Sequence, residues 1–172
     1  MDVRATNKAH PSPPSVGFFC PEKTYDYTPR CPQHHPGNID YNSRNAWQEQ
    51  LGLEVGVTKP RFARFDHPDN GVRVLGKLLL NYRGKDGMPG VGRPGIDTPL
   101  EFINRWAPAS ENDTNAYAKA IAKRLGVGVR NSIVIFRPQI LRERVVGIIV
   151  HENGINPYPS TLIDEGIRRI LT

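Results

Sequence analysis

A chain of 172 residues can bury one substantial core, and 23 Lys and Arg against 17 Asp and Glu leave it at +6. That balance suits a polyanionic partner such as nucleic acid, an anionic lipid surface or an acidic cell-wall polymer, and it equally suits simple solubility. A hydrophobic fraction of 38% with 16 Gly and 16 Pro argues for much loop, while periodic aliphatic blocks exclude wholesale disorder and the absence of a long apolar run excludes a bilayer span.

The first residues, Met1 to Ala5, lack an apolar core and predict no ordinary secretory signal. Residues 1–32 carry Pro11, Pro13, Pro14, Pro21, Pro29 and Pro32 with scattered Phe18, Phe19, Tyr25 and Tyr27, which predicts an extended arm lying on a neighbouring subunit or on its own domain. Residues 33–172 then form one domain. Cys20, Cys31, His34 and His35 make a Cys-x10-Cys-x2-His-His array that reads as a zinc site, a disulfide-closed loop or two free thiols. No resident metal or other cofactor is assigned from it.

Pro36-Gly37-Asn38 is a turn, with Pro36-Gly37 suited to the centre of type II geometry. Trp47 serves either as a packing anchor or as a sugar-stacking platform. The stretch from Val55 to Phe65 reads as a short strand or extended loop. Asp66 to Gly71 punctuates a helix start, after which Val72, Leu75, Leu78, Leu79 and Tyr82 share one face. Residues 81–95 are a Gly/Pro loop.

Thr98-Pro99-Leu100-Glu101 predicts a helix start with a capping box, and that helix ends near Trp106. Residues 110–114 start another, in which Glu111 and Asp113 complement the helix dipole and Gly126 stops the chain after Leu125. The stretch from Val129 to Phe136 is irregular or a short strand. Pro138 opens a helix whose apolar positions are Ile140, Leu141, Val145, Ile148 and Ile149, and Ser160 caps a last amphipathic helix. The fold class expected is therefore mostly α, about five helices with few short strands.

The helix from Pro138 carries the chemistry. Its apolar turns deliver His151-Glu152 to its end, Gly154 suits the left-handed C′ position, and Asn156-Pro157 forbids continuation. Apolar surroundings and the negative end of the helix dipole both disfavour an ionised carboxylate, which raises the expected pKa of Glu152 and fits a general acid at a glycosidic bond. The plainer reading is a solvated, inert helix end.

Three blocks together resemble a family of small tailed-phage and prophage virion structural proteins: Pro36-Gly37-Asn38-Ile39 with Trp47; Phe62 through Gly71 with the Leu-rich helix; and Arg105-Trp106-Ala107-Pro108-x-x-Glu111-Asn112-Asp113-Thr114-x-x-Tyr117, followed by His151-Glu152-Asn153-Gly154. The resemblance covers about residues 33–172. Where that family has an Arg/Asn-rich run before Pro-Gly-Asn, this chain has Gln33-His34-His35, so any sugar contact made there is altered. The segment from Ile148 to Pro157 also looks like the lytic transglycosylase segment in which an apolar helix ends in Glu-Ser-Gly-Phe-Asn-Pro, with Asn153 in place of serine.

These resemblances imply a lysozyme-like helical domain in circularly permuted order, carried in a virion and meeting peptidoglycan in the host periplasm during genome delivery. Glu152 is then the catalytic acid, with Asn38, His151, Asn153 and Tyr158 as substrate-binding residues. A second carboxylate, needed for inverting chemistry, falls to Glu111, Asp113 or Asp66. Partners would be other virion proteins through the arm, in a multi-copy assembly, and peptidoglycan. The alternative is a tail, connector or capsid-associated component without turnover. Binding of nucleic acid rests on charge alone.

Overall fold

The computed structural model describes residues 36–82, 95–109 and 113–171. Five helices and two short strands follow one another among them: β1 (Gln50–Leu53), β2 (Ala63–Phe65), α1 (Pro68–Asn81), α2 (Pro99–Trp106), α3 (Thr114–Leu125), α4 (Pro138–Asn153) and α5 (Ser160–Leu171). The expected arm, the Cys/His array, most of the Gly/Pro loop and Glu111 lie outside the described residues. No helix is long and apolar enough to cross a membrane, among the residues described.

The helix ends follow local chemistry. In α2, Thr98 accepts from the Glu101 amide and the Glu101 carboxylate accepts from the Thr98 amide, a complete capping box with Pro99 inside the first turn. Asp113 caps α3 by accepting from the Ala116 amide at 3.0 Å, and Gly126 closes it at φ 67°. Gly154 closes α4 at φ 76°. His67 caps α1 directly ahead of Pro68.

The strands form an antiparallel pair with Gln50 opposite Phe65, Gly52 opposite Arg64 and Leu53 opposite Ala63. A bulge between Gln50 and Gly52 pushes Leu51 out of register. The sequence pattern finds β2 and misses β1, because Gln50-Leu51-Gly52-Leu53 is short, bulged and contains a glycine at φ 121°. On the other edge of β2, Asp40 bridges to Phe62, and Ile39 accepts from the Ala63 amide at 2.8 Å. The stretch from Val129 to Phe136 forms no strand. It still alternates, with Ile133 and Ile135 buried and Val134 and Phe136 exposed, as it runs beside the start of α2.

One continuous core joins Ile39, Phe65, the apolar face of α1, Phe102 and Trp106 of α2, Tyr117 and Ile121 of α3, most of α4 and the inner face of α5. Every residue named above for the α1 face is buried. Trp47 packs part-buried against this core, in agreement with an anchoring role. The helices α1 and α5 approach closely through small residues: a β-carbon on Gly166 would meet Val72 Cβ at 2.7 Å and the Asp69 carbonyl oxygen at 2.9 Å. Ion pairs tie the outer faces, Arg124 to Glu143 at 2.6 Å between α3 and α4, and Arg142 to Asp164 at 2.6 Å between α4 and α5.

Gly37 positions the site. It holds φ 75°, and a β-carbon there would sit 2.8 Å from Leu75 Cδ2 and 3.0 Å from Ile148 Cγ2. Only glycine lets this turn lie flat against α1 and α4 while turning left-handed. The next residue, Asn38, also holds a positive φ of 50°, which asparagine tolerates better than most. The turn thereby carries the Asn38 side chain to the end of α4.

Candidate functional site

Residues 114 positions apart meet at the end of α4. Asn38 Nδ2 donates to Glu152 Oε2 at 3.2 Å, and both side chains are half-buried. Beside them Tyr117 of α3 lies fully buried. Its phenol pKa is raised well above the ordinary value, first by burial and then by the neighbouring Glu152 charge. The Tyr117 hydroxyl has no hydrogen-bond partner among the described residues.

His151 stacks on Tyr117, with ring centroids 3.4 Å apart and planes 8° from parallel. One face of the imidazole is therefore covered while the residue as a whole remains exposed. Burial against the ring lowers the His151 pKa, favouring the neutral imidazole. Glu152 thus carries the Asn38 amide, and its sequence neighbour His151 covers the Tyr117 ring.

The other expected site residues are placed differently. Asn153 Nδ2 donates to the Ile149 carbonyl at 2.8 Å, so its amide satisfies one of the last carbonyls of its own helix. Tyr158 is buried in the core cluster, and burial raises its phenol pKa. Its hydroxyl lacks a partner among the described residues. Asp113 is exposed and occupied in capping α3, and Asp66 accepts from Asn70 Nδ2 at 2.7 Å at the start of α1. Glu111 lies outside the described residues. The fold therefore brings Asn38, His151 and Glu152 together, whereas Asn153 and Asp113 make structural hydrogen bonds at helix ends.

No family model matches this chain. It is similar to Protein P5 of Pseudoalteromonas phage PM2. The two are 29% identical over 135 residues, a stretch that spans 77% of this chain and 76% of the phage protein. The similarity to that phage protein runs through most of both chains, so it concerns a whole domain rather than a shared motif.

Two side chains escape sequence reasoning. Spacing puts Tyr117 on the buried face of α3, correctly, but its place beneath His151 requires the α3–α4 packing that periodicity does not give. Arg144 falls between Leu141 and Ile148 on the apolar face of α4, and the aliphatic pattern around it hides it. It is 0% exposed, and its Cζ lies 4.4 Å from the Phe102 ring centroid. A basic residue at spacing i+3 and i−4 within an apolar stripe is the available signal. Among the described residues no three His, Cys, Asp or Glu side chains group as a metal site.

Proposed function

We propose that this chain is a structural component of a bacteriophage particle and that the Glu152 end of α4 is its peptidoglycan-facing site. The observation supporting the particle assignment is the similarity to a phage protein over three-quarters of both chains. The blocks around Pro36-Gly37-Asn38 and Arg105-Trp106-Ala107-Pro108, which resemble small tailed-phage and prophage virion structural proteins, are read the same way. A lysozyme-like arrangement in permuted order and an N-terminal arm contacting other virion proteins belong to this reading.

The cleavage reading rests on one contact, Asn38 Nδ2 to Glu152 Oε2 at 3.2 Å. That contact orients a half-buried carboxyl at the end of an apolar helix, where it can reach a glycosidic oxygen. With Asp113 engaged in capping, the chemistry in reach needs only one carboxyl group. Protonated Glu152 donates its proton as the glycosidic C–O bond breaks, and the substrate acetamido oxygen bonds to the anomeric carbon. The sugar's own hydroxyl then displaces that oxygen, returning its proton to Glu152 and closing an anhydro ring. The second reading is a particle component without turnover. It is favoured by Asn153 and Asp113 both serving helix ends.

Two measurements separate these claims. Mass spectrometry of gradient-purified particles should find the chain at constant stoichiometry; its absence from particles removes the structural assignment. Purified cell wall incubated with the wild type should release anhydromuropeptides, and Glu152→Gln should not. No release by folded wild-type protein removes the enzyme and leaves the structural role.

A further inference from the structure

Arg144 is the least expected residue of the core. None of its surface is exposed, and Nε, Nη1 and Nη2 all lack a hydrogen-bond partner among the described residues. Burial lowers its pKa to about 10, with the Tyr82 phenol acting against that fall, so the guanidinium stays charged at neutral pH. The face of Phe102 attracts that charge, but a ring face cannot take the five N–H bonds that a guanidinium directs outward in its own plane.

Arg105, on the last turn of α2, places its Cζ 5.7 Å from the Tyr82 ring centroid at the end of α1. Trp106 is 1% exposed, and its indole N–H also lacks an acceptor among the described residues. Among the described residues no acidic side chain acts on Arg144. Water could occupy these donors, yet it would leave the buried charge uncompensated.

We propose that Arg144 is the receptor of a buried oxyanion, held where α4 meets Phe102 of α2 and Tyr82 at the end of α1. The guanidinium fork matches two oxygens of a phosphate, sulfate or carboxylate group. A spherical halide cannot use both arms of the fork equally well. Because Arg144 has no exposed surface, capture requires local opening, and binding is measured after long equilibration. This site is independent of Glu152 and of any activity on glycans.

The test uses the full chain at fixed ionic strength, titrated separately with inorganic phosphate, sulfate, acetate and chloride. Thermal midpoint and, for phosphate, ³¹P line broadening are the readouts. Phosphate or sulfate should raise the midpoint saturably and chloride should not; a response to acetate alone assigns the site to a carboxylate. Arg144→Lys keeps the charge and loses the fork, and should weaken the apparent affinity by about tenfold or more. Arg144→Met should abolish the response, while Arg130→Gln, at an exposed position, should leave it intact. A wild type indifferent to all three oxyanions overturns the proposal, as does an equal response in Arg144→Lys. Should Arg144→Met not fold, the lysine variant decides alone.

Discussion

Arg144 and Glu152 stand on one helix, eight positions and about 12 Å apart along its axis. Each lies near an aromatic ring from a different helix, Phe102 of α2 for the arginine and Tyr117 of α3 for the glutamate. The arginine is sealed and without a hydrogen-bond partner among the described residues; the glutamate is half-buried, with the Asn38 amide on it. The difference shows what a ring can and cannot do for a charge. A π face opposite a cation is attractive and replaces part of the lost hydration. Beside a carboxylate it supplies only low polarity, so the stabilising contact has to come from a donor elsewhere, in this fold a turn 114 residues away.

The strongest way to break this comparison is Phe102→Leu. The ring is 1% exposed, so the smaller side chain loses packing, and the buried guanidinium loses its aromatic floor as well. Together these should cost about 3 kcal/mol, combining a reshaped core with a cation–π contact of up to about 2 kcal/mol. Urea unfolding measures it. Tyr117→Leu supplies the control, since it also removes a buried ring but no cation contact; equal losses in the two variants would mean that Phe102 acts by volume alone.

Gly37→Ala tests the other end. The added methyl meets Leu75 and Ile148 at 2.8 and 3.0 Å, in a backbone conformation with φ 75°. Strain and overpacking should cost about 2 kcal/mol and shift Asn38 away from Glu152. Asn38→Ala should cost less, about 1 kcal/mol, because its hydrogen bond is half-solvated. The comparison is sharpened if Gly37→Ala exceeds Asn38→Ala in urea unfolding, since the turn then does more than present one amide. The reverse order would place most of the stabilisation in the Asn38–Glu152 contact itself.

Much of this is readable in the chain, and the physical reason differs from element to element. Thr98-Pro99-x-Glu101, Gly126 and Gly154 act within four residues of themselves, so caps and stops can be named without knowing the fold. The face of α1 follows from spacing alone. The strand β1 cannot be read, because Gly52 and a bulge break the alternation that marks a strand. At the site, Glu152 is legible from the apolar helix before it, and Asn38 from its turn and from the family resemblance. The contact between them is not, since it depends on Gly37 packing against Leu75 and Ile148. Asn153, expected as a sugar contact, donates its amide to Ile149, a use that any asparagine at the end of a helix can find.

The smallest expected effect concerns His151, and its sign follows from the stacking. Tyr117 covers one face of the imidazole at 3.4 Å, and burial lowers the folded-state pKa below the ordinary value of about 6.5. Between the two values the unfolded chain binds more protons than the folded one, so stability rises with pH across that window. This contribution is fully present above about pH 6.5 and is lost as the pH falls through the folded value. Unfolding free energies of wild type and His151→Gln, measured from neutral pH downward, should therefore converge toward acid, with the wild type losing more. Parallel curves would show that charging the ring against Tyr117 costs nothing, and the stack would then be a contact of shape alone. A wild type that gains stability toward acid would require an acceptor for the imidazolium, which the Glu152 carboxylate next to it in sequence could supply, and the two residues would then act as a coupled pair.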